Sequence, residues 1–191
     1  MICYLIRHGK DDDRVRGGWS PTPLSEQGIS EVQQLADHLA ADPSFNIVRI
    51  FSSDLLRARQ TAEIISSKLH IGVEYLPQFR ETNNGILAGM NNHIATERYP
   101  GLFWNTLEWD ERYPDGESPH QFFDRISNAW KTLKENMCDI DGNIVLVTHG
   151  GVINVIYHIE HGIPYSNKSK PLSIKSAGLI AFDVAPSRIK S

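Results

Sequence analysis

Two short apolar runs in this chain each lead to a histidine that is followed by glycine. The first run covers residues 1–6 and is followed directly by Arg7-His8-Gly9. The second run covers Ile144–Val147 and leads to His149-Gly150. Arginine and histidine are unusual at a buried strand end, where β-branched and apolar side chains are favoured. Because ligands of an α/β sheet bind beyond the carboxyl ends of its strands, we expect both histidines to face one pocket.

Apolar runs alternate with helical periodicity along most of the chain. This alternation predicts an α/β fold, a three-layer α/β/α sandwich with a largely parallel central sheet, in a single domain over residues 1–191. The predicted strands cover residues 1–6, 46–53, 71–76 and 143–149. The predicted helices cover residues 54–69, 117–137, 150–159 and a segment that begins after Ser25.

Two segments are less regular than the rest. Residues 77–116 are rich in glycine, asparagine and proline. We predict a long excursion with one or two short helices there, of the kind that often forms the wall of a functional site. Residues 171–184 predict a final pair of short strands joined by a turn around 176–178.

Composition narrows the class of protein. The formal net charge of −4 argues against a general nucleic-acid binder, which usually carries a basic face. The two cysteines, Cys3 and Cys138, have no metal-type spacing and predict reduced thiols in a cytoplasmic protein. Only about six apolar residues precede Arg7, so we expect no secretory signal, and no stretch reaches the ~20 apolar residues of a membrane span.

An imidazole beside an arginine suits attack on a phosphoryl group. Neutral imidazole is a good nucleophile near pH 7, and the planar guanidinium matches phosphoryl oxygens. Gly9 and Gly150 allow the backbone to approach an anion, and the helix that begins after His149 adds positive potential. Arg57 and Arg59 are two residues apart on one helix, so one of them can point into the site while the other points out. Glu81, at the mouth of the excursion, can supply a proton to the leaving oxygen.

Four motifs in order, Arg7-His8-Gly9, SSDLLRARQTAE, RETNNGILAG and VLVTHGGVI, resemble those of the histidine phosphatase superfamily, in its phosphoglycerate mutase-like branch. PDGESPHQFFDRI resembles a further family segment. The resemblance implies that His8 is the nucleophile that becomes phosphohistidine. It implies that Arg7, Arg57 and His149 bind phosphoryl oxygens, and that Glu81 protonates the leaving group and then activates water. It implies no metal and no cofactor.

Two positions depart from the family pattern. Lys10 stands where the family usually has Glu or Gln, and Arg14 stands where it often has an Asn that contacts phosphate. We expect Arg14 to contact the substrate, together with Gly9 and Gly150. Lys10 and Arg14 would make the pocket more cationic, although the acidic run Asp11-Asp12-Asp13 opposes this.

The sequence leaves the exact reaction open among three alternatives. The first is a phosphomonoesterase that acts on a small phosphorylated metabolite. The second is a phosphoglycerate mutase, which returns the phosphoryl group to another oxygen. A mutase must exclude water from its site, and the excursion at residues 77–116 is short for that purpose. The third is an inactive relative that only binds phosphorylated ligands. The sequence names neither the substrate nor the oligomeric state, and predicts neither a nucleic-acid nor a membrane partner.

Overall fold

The computed structural model describes residues 1–137 and 140–184. Within these residues one sheet has the strand order β3-β2-β4-β1-β5. Its strands are β1 (Ile2–Arg7), β2 (Ile47–Ser52), β3 (Val73–Tyr75), β4 (Asn143–Thr148) and β5 (Leu179–Asp183). The first four are parallel, and β5 runs antiparallel to β1 at the edge. The predicted largely parallel sheet is confirmed.

Helices cover both faces of this sheet. They are α1 (Glu26–Ala41), α2 (Leu56–Leu69), α3 (Asn92–Arg98), α4 (Pro119–Asn136) and α5 (Gly150–Glu160). Side chains of β4 alternate between the faces: Val145 and Val147 pack in the cluster that contains α1 and α2, whereas Ile144 and Leu146 pack in the cluster that contains α4 and α5. The predicted three-layer sandwich is therefore confirmed, and it matches the period-two alternation of a strand that is buried on both sides.

Local sequence signals account for where the main helices begin. Ser25 caps α1, since its side chain accepts a hydrogen bond from the Gly28 amide. Ser118 and Gln121 form a reciprocal capping box at the start of α4. Within the described residues, no helix is long and apolar enough to cross a membrane. Cys3 is buried and free, whereas Cys138 lies outside the described residues.

The irregular excursion contains α3 and two single turns of 3₁₀-helix, at Pro77–Phe79 and Gly85–Leu87, which agrees with the prediction of one or two short helices.

The predicted final pair of strands is wrong, because only β5 forms within 171–184. Side chains bind the backbone of the preceding residues instead of a neighbouring strand. The Asn154 amide donates to the Leu172 carbonyl (2.9 Å), and Arg7 Nη1 donates to the Ile174 carbonyl (2.8 Å). Because these carbonyls already accept hydrogen bonds from side chains, they do not need backbone hydrogen bonds to a neighbouring strand.

Candidate active site

The ends of β1 and β4 bring the two histidines together. Arg7 pairs with Thr148 in the parallel register, and the His8 amide donates to the Thr148 carbonyl (3.0 Å). The ring centroids of His8 and His149 are 5.1 Å apart, and both side chains are buried. We call the surrounding site, formed by Arg7, His8, Arg57 and His149, the histidine pocket.

His8 presents one ring nitrogen that carries no proton. Its Nδ1 lies 2.7 Å from the Gly9 carbonyl, which can only accept a hydrogen bond, so Nδ1 carries the proton. Nε2 is then an acceptor, and Arg57 Nε donates to it (3.2 Å). Burial, together with the positive charge of Arg57, lowers the pKa of His8 well below its usual value. The imidazole is therefore neutral at neutral pH, with Nε2 able to act as a nucleophile.

Arg57 is almost fully buried in the first turn of α2. Its Nη2 donates to the Gly18 carbonyl (2.7 Å) and its Nη1 donates to the Ser20 hydroxyl (3.2 Å). Arg59, two residues later, lies on the surface and pairs with Glu63. The structure thus places Arg57 in the pocket and Arg59 outside it, in line with the helical geometry.

His149 and Arg7 complete the wall of the histidine pocket. His149 Nε2 lies 2.8 Å from the Ser53 hydroxyl, and burial followed by the charge of Arg57 lowers the pKa of His149 well below its usual value. Arg7 Nε is buried without a hydrogen-bond partner among residues 1–137 and 140–184. A Cβ on Gly150 would lie 3.7 Å from that Nε, which is an ordinary van der Waals contact, so the Arg7 guanidinium lies directly beside this glycine.

Gly9 has a packing role that the sequence did not predict. A Cβ at this position would lie 2.6 Å from the Gly28 carbonyl oxygen, which is too close for any side chain. The Gly9 amide donates to the Thr61 hydroxyl (3.1 Å) and is not free for a phosphoryl oxygen. The glycine therefore lets the segment that follows β1 pass close to α1.

Glu81 lies beside the start of α5. Its Oε2 accepts from the Gly151 amide and its Oε1 accepts from the Thr82 amide, both at 3.0 Å. The Glu81 carbonyl accepts from Trp19 Nε1 (2.7 Å) and from Arg125 Nη2 (3.1 Å). These contacts fix both the backbone and the carboxylate of Glu81.

Arg125 and Glu117 are positioning residues that the sequence did not reveal. The Arg125 guanidinium forms two hydrogen bonds to the Glu117 carboxylate, at 2.7 and 2.8 Å. The same guanidinium donates to the carbonyls of Arg80 and Glu81, so it ties α4 to the segment that carries Glu81. Both residues lie in the PDGESPHQFFDRI segment, but their spacing carries no signal for such a contact.

Asp11 is a further residue that the sequence did not place in the site. Its Oδ2 lies 3.4 Å from Arg57 Nε, the atom that also donates to His8. Burial raises the pKa of Asp11 above its usual value, although the charge of Arg57 opposes the rise. The signal was present in the acidic run 11–13, but only the fold selects which member faces Arg57.

The structure does not bring Arg14 to the histidine pocket. Its side chain is 81% exposed and forms a close ion pair with Asp12 (2.7 Å). The Asp12 carboxylate holds the Arg14 side chain at the surface, so Arg14 does not lie where it was expected to contact the substrate. Lys10 lines a cavity together with Arg7 and His8, and its Nζ donates to Gln27 (3.1 Å).

A cavity of about 600 Å³ lies next to the histidine pocket. We call it the side cavity. Its wall includes Glu81 and Gly151, and it extends to Arg16, Phe103, Lys168 and Lys170. Within residues 1–137 and 140–184, no three His, Cys, Asp or Glu side chains are placed to hold a metal ion.

Comparison with known proteins agrees with this geometry. The sequence model of the histidine phosphatase superfamily (branch 1) matches residues 3–190. The chain belongs to the histidine phosphatase superfamily. The family predicted from the motifs is confirmed.

Similar proteins of this superfamily include both mutases and phosphatases by name. A probable phosphoglycerate mutase, GpmB, of Escherichia coli O1:K1 is 30% identical over 171 residues, which cover 86% of this chain and 76% of that protein. The alpha-ribazole phosphatase of Shigella flexneri is 27% identical with a TM-score of 0.81, covering 96% of this chain and 90% of that one. A mycobacterial glucosyl-3-phosphoglycerate phosphatase is 26% identical with a TM-score of 0.78, covering 94% and 88%. The predicted enzyme class, a histidine phosphatase, is confirmed.

Proposed function

We propose that this chain is a phosphomonoesterase that hydrolyses a small phosphorylated metabolite through a phosphohistidine at His8. The observation that carries the proposal is the state of His8, a buried neutral imidazole whose Nε2 electron pair faces Arg57. A nucleophile beside a fixed guanidinium suits attack on a phosphoryl group, whose charge is spread over its oxygens.

The reaction divides into two steps. In the first, His8 Nε2 forms a bond to phosphorus while the bond from phosphorus to the ester oxygen breaks, and Glu81 donates its proton to the departing alkoxide. In the second, the Glu81 carboxylate accepts a proton from water, the water oxygen attacks phosphorus, and the P–N bond breaks to release phosphate. Arg7, Arg57 and His149 bind the phosphoryl oxygens throughout.

Sequence composition supports two further parts of the proposal, the class of substrate and the location of the protein. The net charge of −4 and the local cationic site favour a small anionic substrate over nucleic acid. The absence of a cysteine framework favours a cytoplasmic location.

The decisive experiment measures hydrolysis of 4-nitrophenyl phosphate by the full chain, with and without a chelator. We expect activity that the chelator does not change, and a loss of at least about a thousandfold in His8→Ala. His93→Ala, an exposed histidine on α3, is the matched control and keeps full activity. Activity that survives His8→Ala refutes the nucleophile assignment, and chelator-sensitive activity refutes the metal-free reaction.

A mutase is the second candidate, because the relative in Escherichia coli O1:K1 is described as a probable phosphoglycerate mutase. Incubation with 3-phosphoglycerate separates the two reactions. Conversion to 2-phosphoglycerate with little free phosphate identifies a mutase, whereas release of phosphate identifies a phosphatase. Tight binding of phosphate esters with no turnover identifies the inactive binder.

A further inference from the structure

The proposed reaction assigns different parts of the substrate to the two adjoining sites. The phosphoryl group occupies the histidine pocket, and the alcohol must extend toward Glu81, which protonates it. Glu81 belongs to the wall of the side cavity, so the alcohol portion enters that cavity. The residues of the side cavity therefore indicate what kind of alcohol fits.

Arg16 is held rigidly in the wall of the side cavity. Its amide donates to the Met90 carbonyl and its carbonyl accepts from the Gly89 amide, both at 2.8 Å. Its guanidinium lies 4.6 Å from the ring centre of Phe103, and its Nη2 donates to the Thr96 hydroxyl (3.3 Å). Contacts of this kind hold a cation in one place before any ligand arrives.

The Arg16 guanidinium keeps unused capacity for hydrogen bonds. Arg14, Arg59, Arg80 and Arg125 each pair with a carboxylate. Arg16 forms no such pair within residues 1–137 and 140–184, and its buried Nε has no hydrogen-bond partner there. The guanidinium has five N–H donors, one of which binds Thr96, so it can still donate to an anion in the cavity.

Arg16 and Glu81 both lie near Tyr113. Burial raises the pKa of Tyr113 to about 12, while the positive charge of Arg16 lowers it and the negative charge of Glu81 raises it. Both charged groups therefore act on one phenol that lines the side cavity. The Arg16 guanidinium and the proton donor Glu81 therefore face the same cavity, the side cavity that Tyr113 lines.

The balance of charge in the side cavity is positive, although the chain as a whole is acidic. Arg16, Lys168 and Lys170 line it, against the single carboxylate of Glu81. Lys168 pairs with Glu108 at the rim, which leaves Arg16 as the fixed cation and Lys170 as an exposed one. A local positive surface on an acidic protein raises the concentration of an anionic ligand there.

We propose that the alcohol portion of the substrate carries a second anionic group, a carboxylate or a second phosphate, and that Arg16 binds it. This inference rests on the proposed phosphatase function. Arg16 then selects among phosphate esters by the charge of the leaving alcohol, whereas the histidine pocket treats all phosphoryl groups alike.

Matched pairs of substrates test this selection. 3-Phosphoglycerate and glycerol 3-phosphate share a carbon skeleton and differ in a carboxylate against a neutral hydroxymethyl group. Propane-1,3-diol bisphosphate and its monophosphate differ in a second phosphate. We expect the doubly anionic member of at least one pair to have a kcat/KM higher by roughly tenfold or more, and the pair that responds identifies the anion.

Variants assign the selection to Arg16. In Arg16→Gln we expect the ratio of the two kcat/KM values to fall toward one, and in Arg16→Lys to fall only in part, because the charge remains. Arg98→Gln removes the same charge from an exposed position on α3, away from the side cavity, and leaves the ratio unchanged. Thermal unfolding followed by circular dichroism establishes that each variant is folded.

The outcomes separate this inference from the function on which it rests. Equal kcat/KM values within both pairs, with 4-nitrophenyl phosphate hydrolysed, overturn the inference alone. A preference that Arg16→Gln leaves intact also overturns it. A chain that hydrolyses neither 4-nitrophenyl phosphate nor any of these esters overturns the proposed function, and the inference with it.

Discussion

The histidine pocket and the side cavity adjoin each other, but they are built from different parts of the chain. In the histidine pocket, Arg7 ends β1, His8 and His149 directly follow β1 and β4, and Arg57 lies in the first turn of α2. The side chains of His8, Arg57 and His149 are buried and hydrogen-bonded. The side cavity takes its cations from the loops around residues 16 and 168–170. The difference indicates that the sheet holds the general chemistry, while loops decide which ester is accepted.

Glu81 stands between the two regions, and its replacement gives the largest expected effect after loss of His8. In Glu81→Gln the amide oxygen can still accept from Gly151, whereas the amide NH2 cannot accept from Thr82, and the transferable proton is lost. We expect kcat/KM for an alkyl phosphate to fall by about 10²–10⁴-fold. We expect a much smaller loss for 4-nitrophenyl phosphate, whose leaving group needs no proton. An equal loss for both esters would contradict the role of Glu81 as donor.

Arg57 tests how strictly the histidine pocket depends on geometry. Lysine keeps the charge but cannot reach His8, Ser20 and Gly18 at the same time. We expect Arg57→Lys to lower kcat/KM by about a hundredfold or more for every ester, with or without a second anion. Arg59→Lys, on the exposed side of the same helix, keeps wild-type kcat/KM. A loss of kcat/KM confined to doubly anionic esters would mean that Arg57 binds the second anion, and would contradict the separate roles of the histidine pocket and the side cavity.

Asp11 places a negative charge where the histidine pocket receives an anion. In Asp11→Asn we expect the inhibition constant of inorganic phosphate to fall by roughly threefold to tenfold, since repulsion is removed and Arg57 is freed. Asp12→Asn removes the same charge next in the chain, where it pairs with Arg14, and serves as control. If both variants shift the inhibition constant equally, the effect is one of overall charge.

The pH dependence of inhibition sharpens this prediction. The raised pKa of Asp11 means that its carboxyl becomes neutral at a higher pH than an ordinary aspartate. Besides Arg57, the charged groups acting on it are Arg7, which favours ionisation, and Asp12, which opposes it. Wild-type phosphate inhibition should therefore strengthen more on acidification than inhibition of Asp11→Asn, and identical pH profiles would contradict the assignment.

The smallest expected effect concerns stability. Folding lowers the pKa of His8 and of His149, so the unfolded chain takes up protons near pH 6.5 while the folded chain does not. The stability present above pH 6.5 is then lost as the pH falls, by up to about 1.4 kcal/mol per pH unit for each histidine. Urea unfolding between pH 7.5 and 5.5 should show a shallower fall in His8→Asn than in wild type. His93→Asn, on the surface, should match wild type.

Residues with periodic or adjacent signals could be predicted from the sequence. The apolar runs before His8 and before His149 identified two parallel strands, and the strand-end rule predicted that their imidazoles meet. The choice of Arg57 over Arg59 followed from the resemblance, and helix geometry required that the two point different ways. These inferences succeeded because a strand or a helix has a fixed period, so neighbouring residues determine where a side chain points.

Residues in loops could not be predicted in the same way. Arg14 was expected in the site because it stands where the family often has an Asn that contacts phosphate, but Asp12 holds it at the surface. The residues before the turn around 176–178 were predicted to form the first strand of a pair, but Asn154 and Arg7 bind the carbonyls of Leu172 and Ile174 instead.

The sequence by itself determined the layered fold, the superfamily and the pair of histidines, because strand alternation and motif order are properties of local stretches. Only the tertiary structure decided that Asp11 faces Arg57, that Arg125 fixes Glu81 and that Arg16 lines the side cavity. Each of these contacts joins segments that are distant along the chain through side chains on irregular backbone. Helical or strand periodicity in the sequence does not predict such a contact, since the contact depends on how the loops pack once the sheet has formed.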